Sequence, residues 1–105
     1  MNQHDSYINK IHAQLDELTL TLDDLEKTIK EKSHQAHVAY TNEMTDLRIK
    51  LVELRSKLDE LKAASADNWE SLKEHIEVLH RAFVSTYSYF KEEVKRNELK
   101  KEQIL

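Results

Sequence analysis

Two pairs of residues in this chain have the spacing for metal chemistry. Glu31 precedes His34 by three positions and Glu77 precedes His80 by three. On a helix, such residues project from one face, so a carboxylate and an imidazole can reach a single ion, as they do in di-iron and di-manganese helix bundles. His34, His37 and Tyr40 could form a surface metal or pH-sensitive patch, because histidine titrates near neutrality. Composition offers a plainer account: with six histidines in a glutamate-rich chain, about one such pair arises by chance. These residues also fall outside the apolar seam traced below, apart from His80, which flanks it. They are read as solvated, and no metal or other cofactor is expected.

The adjacent carboxylates Asp23–Asp24 and Glu92–Glu93 point about 100° apart on a helix and cannot converge on one substrate. Nothing resembles a nucleophile elbow or a phosphate-cradling glycine loop. The expectation is a protein that is not an enzyme. A different chemistry is offered by Phe83, Val84, Tyr87, Tyr89 and Phe90 beside Lys91, Lys95 and Arg96, since aromatics next to cations suit a lipid headgroup boundary. Core packing explains Phe83, Tyr87 and Phe90 equally well, and Glu92 and Glu93 oppose anionic lipid. Peripheral membrane binding therefore stands as the alternative function, and a metal-binding bundle as a third.

The elements that position these residues follow from composition. The 105 residues contain no Gly, Pro or Cys, while 34% are charged and 39% hydrophobic. Gly and Pro punctuate loops and turns, so a chain lacking both has few places to reverse and reads as all-α. Without cysteine there is no disulfide framework or thiolate zinc site. The formal charge is −4, with Lys and Arg interleaved among Asp and Glu. No basic stripe is present to displace counterions from DNA or RNA, and nucleic acid is not an expected partner. No apolar run reaches the roughly 18 residues of a membrane span, and the first residues do not read as an export signal. The expected location is cytoplasmic.

Ile8, Ile11, Leu15, Leu18, Leu22, Leu25 and Ile29 alternate steps of three and four, the seam of a coiled coil. Met44, Leu47, Leu51, Leu54, Leu58 and Leu61 repeat the pattern. Ile29 and Met44 are fifteen residues apart, one more than two heptads, so the seam rotates by roughly 100° in between. One continuous helix can absorb that shift, or the chain can break near Ser33. Ser33 is followed at the third position by Ala36, where a capping box carries Glu or Gln, and the neighbouring residues are good helix formers. Continuity is the expectation.

The stretch "AASADNW", Ala63 to Trp69, has the composition of a corner. Asp67 and Glu70 form a capping-box-like pair, Ser65 offers a cap one register earlier, and the alanines allow a tight connection. The last helix packs through Trp69, Leu72, Ile76, Leu79, Phe83, Tyr87 and Phe90, with Val94 beyond. Val78, Val84 and Tyr89 widen this face, placing the helix at the centre of the bundle. The predicted fold is a single domain over 1–105: a coiled-coil helical hairpin with a long helix over about 6–62, a second over about 67–95, and a frayed charged tail at 96–105. The alternative is a three-helix bundle with an extra turn near residue 33.

In the hairpin, the long helix spans about 85 Å and the second about half that. The seam from Ile8 to Ile29 is then bare and requires a partner, most simply a second copy forming a homodimer, otherwise another helical protein.

The stretches "YINKIHAQLDEL", "AYTNEMTDLRIKLVELRSKLDELKAASADNWESLKEHIE" and the Tyr/Phe-bearing end together resemble a family of small bacterial coiled-coil proteins, some labelled stress-induced or stress-response proteins. The resemblance covers about residues 5–90, and "KLDELKAASADNWESLK", Lys57 to Lys73, is its most specific element. In the last helix "HIEVLHRAFVSTYSYF" departs from the family's more repetitive Ala/Glu/Lys/Trp pattern. The resemblance implies a non-enzymatic helical protein linked to a bacterial stress response; with the apolar seams, the expected function is structural or interaction-mediating.

Overall fold

A computed structural model describes residues 3–104, with side chains described over 3–96. Four helices follow one another: α1 Gln3–Lys32, α2 His34–Ala39, α3 Thr41–Lys62 and α4 Ala66–Ile104, with no strand among the described residues. The chain is all-α, and of the two arrangements the sequence allows it takes the three-helix bundle. α1 and α4 run parallel, α3 runs back between them, and the rod measures 59 × 19 × 18 Å.

The continuous helix over 6–62 does not form, because the chain breaks at Ser33. The Ser33 backbone is extended (φ −173°, ψ 157°), and its hydroxyl accepts a hydrogen bond from the Ala36 amide at 2.9 Å. A serine acting alone as an N-cap suffices here, without the reciprocal Glu of a capping box. The cap stabilises the break by only about 1 kcal/mol. Burial outweighs it, since each large apolar side chain withdrawn from water contributes about 1.5–3 kcal/mol. Folding back at Ser33 lets the chain cover its own first seam.

α2 continues into α3 through a kink at Tyr40 (φ −103°, ψ 6°). The Tyr40 amide donates to the Ala36 carbonyl at 3.1 Å, and the Met44 amide donates to the Tyr40 carbonyl at 3.0 Å. The phase shift between the two seams is thus taken up across 33–40. The Tyr40 ring meets Phe90 edge-on at 5.4 Å, tying the kink to α4.

At the other end the chain reverses over Ala63, Ala64 and Ser65 with no residue at positive φ. Ala63 (φ −95°, ψ 0°) donates its amide to the Asp59 and Glu60 carbonyls, and Ala64 donates to Leu61. Small side chains at this corner make glycine unnecessary. Because α4 begins at Ala66, Ser65 holds the N-cap position and its carbonyl accepts from Asn68 and Trp69 at 3.1 Å. Asp67 lies in the first turn, where its charge suits the helix N-terminus.

The core runs the length of the rod. Ile11, Leu15, Leu22, Leu25 and Ile29 from α1 are buried with Met44, Leu47, Leu51, Leu54, Leu58 and Leu61 from α3 and Trp69, Ile76, Phe83, Phe90 and Val94 from α4. Ile8, Leu18, Leu72, Leu79 and Tyr87 pack against them partly buried. The Ile8–Ile29 seam, expected to face a second copy, is therefore covered by the chain's own α3 and α4. The expectation of a bare surface fails because the chain turns at Ser33 and folds back over it. α3, rather than the last helix, is the one whose backbone packs closely on both of its long neighbours. The backbone of α4 is helical through Ile104. The fraying expected over 96–105 concerns residues whose side chains, from 97 onward, lie outside the described ones.

Candidate functional site

The two sides of α1 differ in how their charges are used. Toward α3, Arg48 donates through Nη2 to Asp23 Oδ1 at 2.8 Å and to Glu26 Oε1 at 3.1 Å. One heptad further along α3, Arg55 donates to Asp16 Oδ1 at 3.1 Å, Thr19 Oγ1 at 2.8 Å and the Leu15 carbonyl at 3.4 Å. The hydrogen bond to Asp23 is the main reason the Arg48 guanidinium holds its proton above the ordinary range, with Glu26 adding to it against the cost of burial. These contacts match the antiparallel register in which α1 and α3 pack.

Toward α4 the arrangement is open. The backbones of α1 and α4 approach closely at few points, and two cavities of about 340 Å³ and 360 Å³ lie along the furrow between them. The first, nearer α2, has Leu25 and Val94 as its floor and Thr21, Thr28 and Asp24 along the α1 side. Lys32, Lys91 and Lys95 also line it, together with Tyr87, whose phenol burial pushes its pKa up, aided by the Asp24 charge. The second has Ile11 and Ile76 as its floor, with Lys10, Arg81, Glu77 and His80 around them. The two cavities together present five Lys or Arg residues against two carboxylates, a local formal charge of +3 on a chain of −4. Among the described residues Lys10, Arg81, Lys91 and Lys95 have no ion-pair partner.

The furrow ends in an aromatic cluster where α1 and α4 begin. His4 stacks on Trp69 with ring centroids 3.7 Å apart, and Tyr7 meets Trp69 edge-on at 6.1 Å. Lys73 Nζ sits over the Tyr7 ring at 5.1 Å, and the Tyr7 hydroxyl points at Glu77 Oε1 across a long 3.5 Å contact. Burial, followed by the charge of Glu77, pushes the Tyr7 phenol up to about 12. A third cavity, about 660 Å³, lies beside the α3–α4 corner against Lys57, Glu60 and Leu72.

The residues singled out for chemistry are distributed unevenly over this framework. Glu31 and His34 sit on different helices with Ser33 between them, so their three-residue spacing no longer places them on one face. Glu77 and His80 are brought together on the wall of the second cavity. No group of three or more His, Asp or Glu able to hold a metal occurs among the described residues. Of the aromatic end, Phe83 and Phe90 are buried in the core, leaving Val84 and Tyr89 exposed, the latter 72%. Of the apolar anchors proposed for a membrane surface, the two phenylalanines thus go to packing, while Val84 and Tyr89 do not. No helix of the described residues is long and apolar enough to cross a membrane.

The cations at Lys10 and Arg81 were not legible as site residues. They flank the seam, and which flanks meet is decided by the parallel placement of α1 and α4. Compared with known proteins, the chain matches no family model, no curated protein and no solved structure.

Proposed function

We propose that this bundle is a non-enzymatic structural or interaction-mediating protein of the cytoplasm, and that its furrow between α1 and α4 receives another helical protein. One observation carries this reading: α1 ties off the arginines of α3, yet Lys10, Arg81, Lys91 and Lys95 line the furrow on its other side without an ion-pair partner. A furrow that leaves cations unpaired is a surface to which a partner's carboxylates can be steered. The link to a bacterial stress response is supported by the resemblance of Lys57 to Lys73 and its flanking heptads.

The test is photocrosslinking in the cell that makes the protein. A photoreactive residue at Gln14 or Thr28, facing the furrow, is expected to capture a discrete protein adduct, whereas one at Ser56 or Ala82, exposed and lining neither cavity, is not. Absence of adducts at all four positions would count against an interaction role.

A further inference from the structure

The cavity nearer α2 changes character along its length. Asp24 and Tyr87 lie at one end, close enough for the Asp24 charge to act on the phenol. Lys32 on α1 and Lys95 on α4 each lie eight residues further on, about 12 Å at 1.5 Å per residue, and Lys91 precedes Lys95 by one turn on the same face. Because α1 and α4 run parallel, both walls become cationic in the same direction. Leu25 and Val94 form the floor but are only 8% and 4% exposed, so the cavity offers almost no apolar surface. Whatever enters it is held by polar groups.

Lys91 and Lys95 have no ion-pair partner among the described residues. Asp24 opposes them with one charge, and the C-terminal end of α1 with about half of another. Three ammoniums outweigh both. Lysines grouped in this way suit a phosphate, which gathers up to two charges and several acceptor oxygens in one group, better than a single carboxylate. The volume, about 340 Å³, is that of a pocket for a small molecule. We infer that this cavity binds a small soluble phosphate ester, with its phosphate among Lys32, Lys91 and Lys95 and a hydroxyl or amino donor of its body turned toward Asp24. The second cavity is poorer for this purpose, since it sets Glu77 beside only Lys10 and Arg81. Duplex nucleic acid fits worse still, because the cations occupy one short stretch of a chain whose net charge is −4. The cavity fills without any partner protein, so failure of ligand binding leaves docking along the furrow standing, and failure of the crosslinks leaves the ligand site standing.

The probe is adenosine diphosphate, titrated calorimetrically into the purified protein at low salt, with pyrophosphate and adenosine as its two halves. Saturable one-to-one binding is expected, weakening about tenfold or more in Lys91→Gln/Lys95→Gln. Lys27→Gln/Lys30→Gln removes the same charge from exposed residues that line neither furrow cavity and is expected to bind as the parent does. Asp24→Ala separates recognition from bulk attraction. It is expected to tighten pyrophosphate, by removing a repelling charge, and to weaken adenosine diphosphate, by removing the acceptor for its body. Circular dichroism melting checks that each variant stays folded. No saturable binding of adenosine diphosphate to the folded parent would overturn the inference, as would equal weakening in the two lysine variants or adenosine binding as tightly as its diphosphate. Tightening of both phosphates in Asp24→Ala would reduce the cavity to unspecific charge attraction and also overturn it. So would Lys91/Lys95-dependent binding to phosphatidylcholine vesicles containing phosphatidic acid that exceeds binding of the soluble probe, a result that assigns these lysines to a lipid headgroup.

Discussion

Arg48 and Asp23, twenty-five positions apart in the chain, are joined by a 2.8 Å hydrogen bond that bridges α3 and α1. Both side chains remain about a third to a half exposed, so water competes for each charge. Arg48→Met is therefore expected to cost less than about 1 kcal/mol. In a double-mutant cycle with Asp23→Asn, followed by urea melts, the coupling should shrink as salt rises. A coupling of several kcal/mol would mean that the pair is far better shielded than its exposure indicates.

The Ser33 cap should be measurable by itself. Ser33→Ala removes the hydroxyl that accepts from Ala36 and is expected to lower stability by about 1 kcal/mol. In a domain of this size that corresponds to a fall of roughly 4–8 °C in thermal midpoint. Ser33→Asp, which restores an acceptor, should recover most of the loss. Equal midpoints for all three proteins would show that the break does not depend on the cap.

Leu22 distinguishes an internal seam from an intermolecular one. Its side chain is fully buried among the three helices, so Leu22→Ala is expected to cost about 2–5 kcal/mol and to lower the melting midpoint at every protein concentration. If the seam paired two copies, the loss would depend on concentration and helicity would survive dissociation. A dilution series of melts separates the two results.

The phenol of Tyr7 predicts a base-sensitive window. Its pKa rises from 10.0 to about 12 because burial and Glu77 disfavour the phenolate. The folded chain thus holds this proton more tightly than the unfolded chain, and the resulting stability is fully present below pH 10. It is lost as pH rises toward 12. Tyr7→Phe should flatten the fall of stability across pH 10–12 relative to the parent, and ultraviolet titration of the parent should show a phenolate forming late. A parallel decline in both proteins would remove Tyr7 as a cause.

The heptad alternation of Met44–Leu61 and of Trp69–Phe90 is readable from sequence because periodicity reports which side chains leave water. It does not report whose helix covers them. Ile8–Ile29 obeys the same pattern, and nothing in its spacing distinguishes burial under α3 and α4 from burial under a second chain. The turn at Ser33 is hidden for a related reason: a cap made by one hydroxyl has no composition signal when Gly, Pro and the reciprocal Glu are absent. The corner at Ala63–Ser65 is legible through its small residues, although it closes without the left-handed residue that commonly ends a helix. The furrow is the least legible feature, since Lys10 and Arg81 become neighbours of one groove only after two helices have been laid side by side.

The break at Ser33 also decides which helix sets the reach of the molecule. Unbroken, a helix through α3 would extend about 90 Å at 1.5 Å per residue. Folded at Ser33, the chain fits within 59 Å, about the length of the 39 residues of α4. The last helix, and not the first, is therefore the molecule's measuring stick.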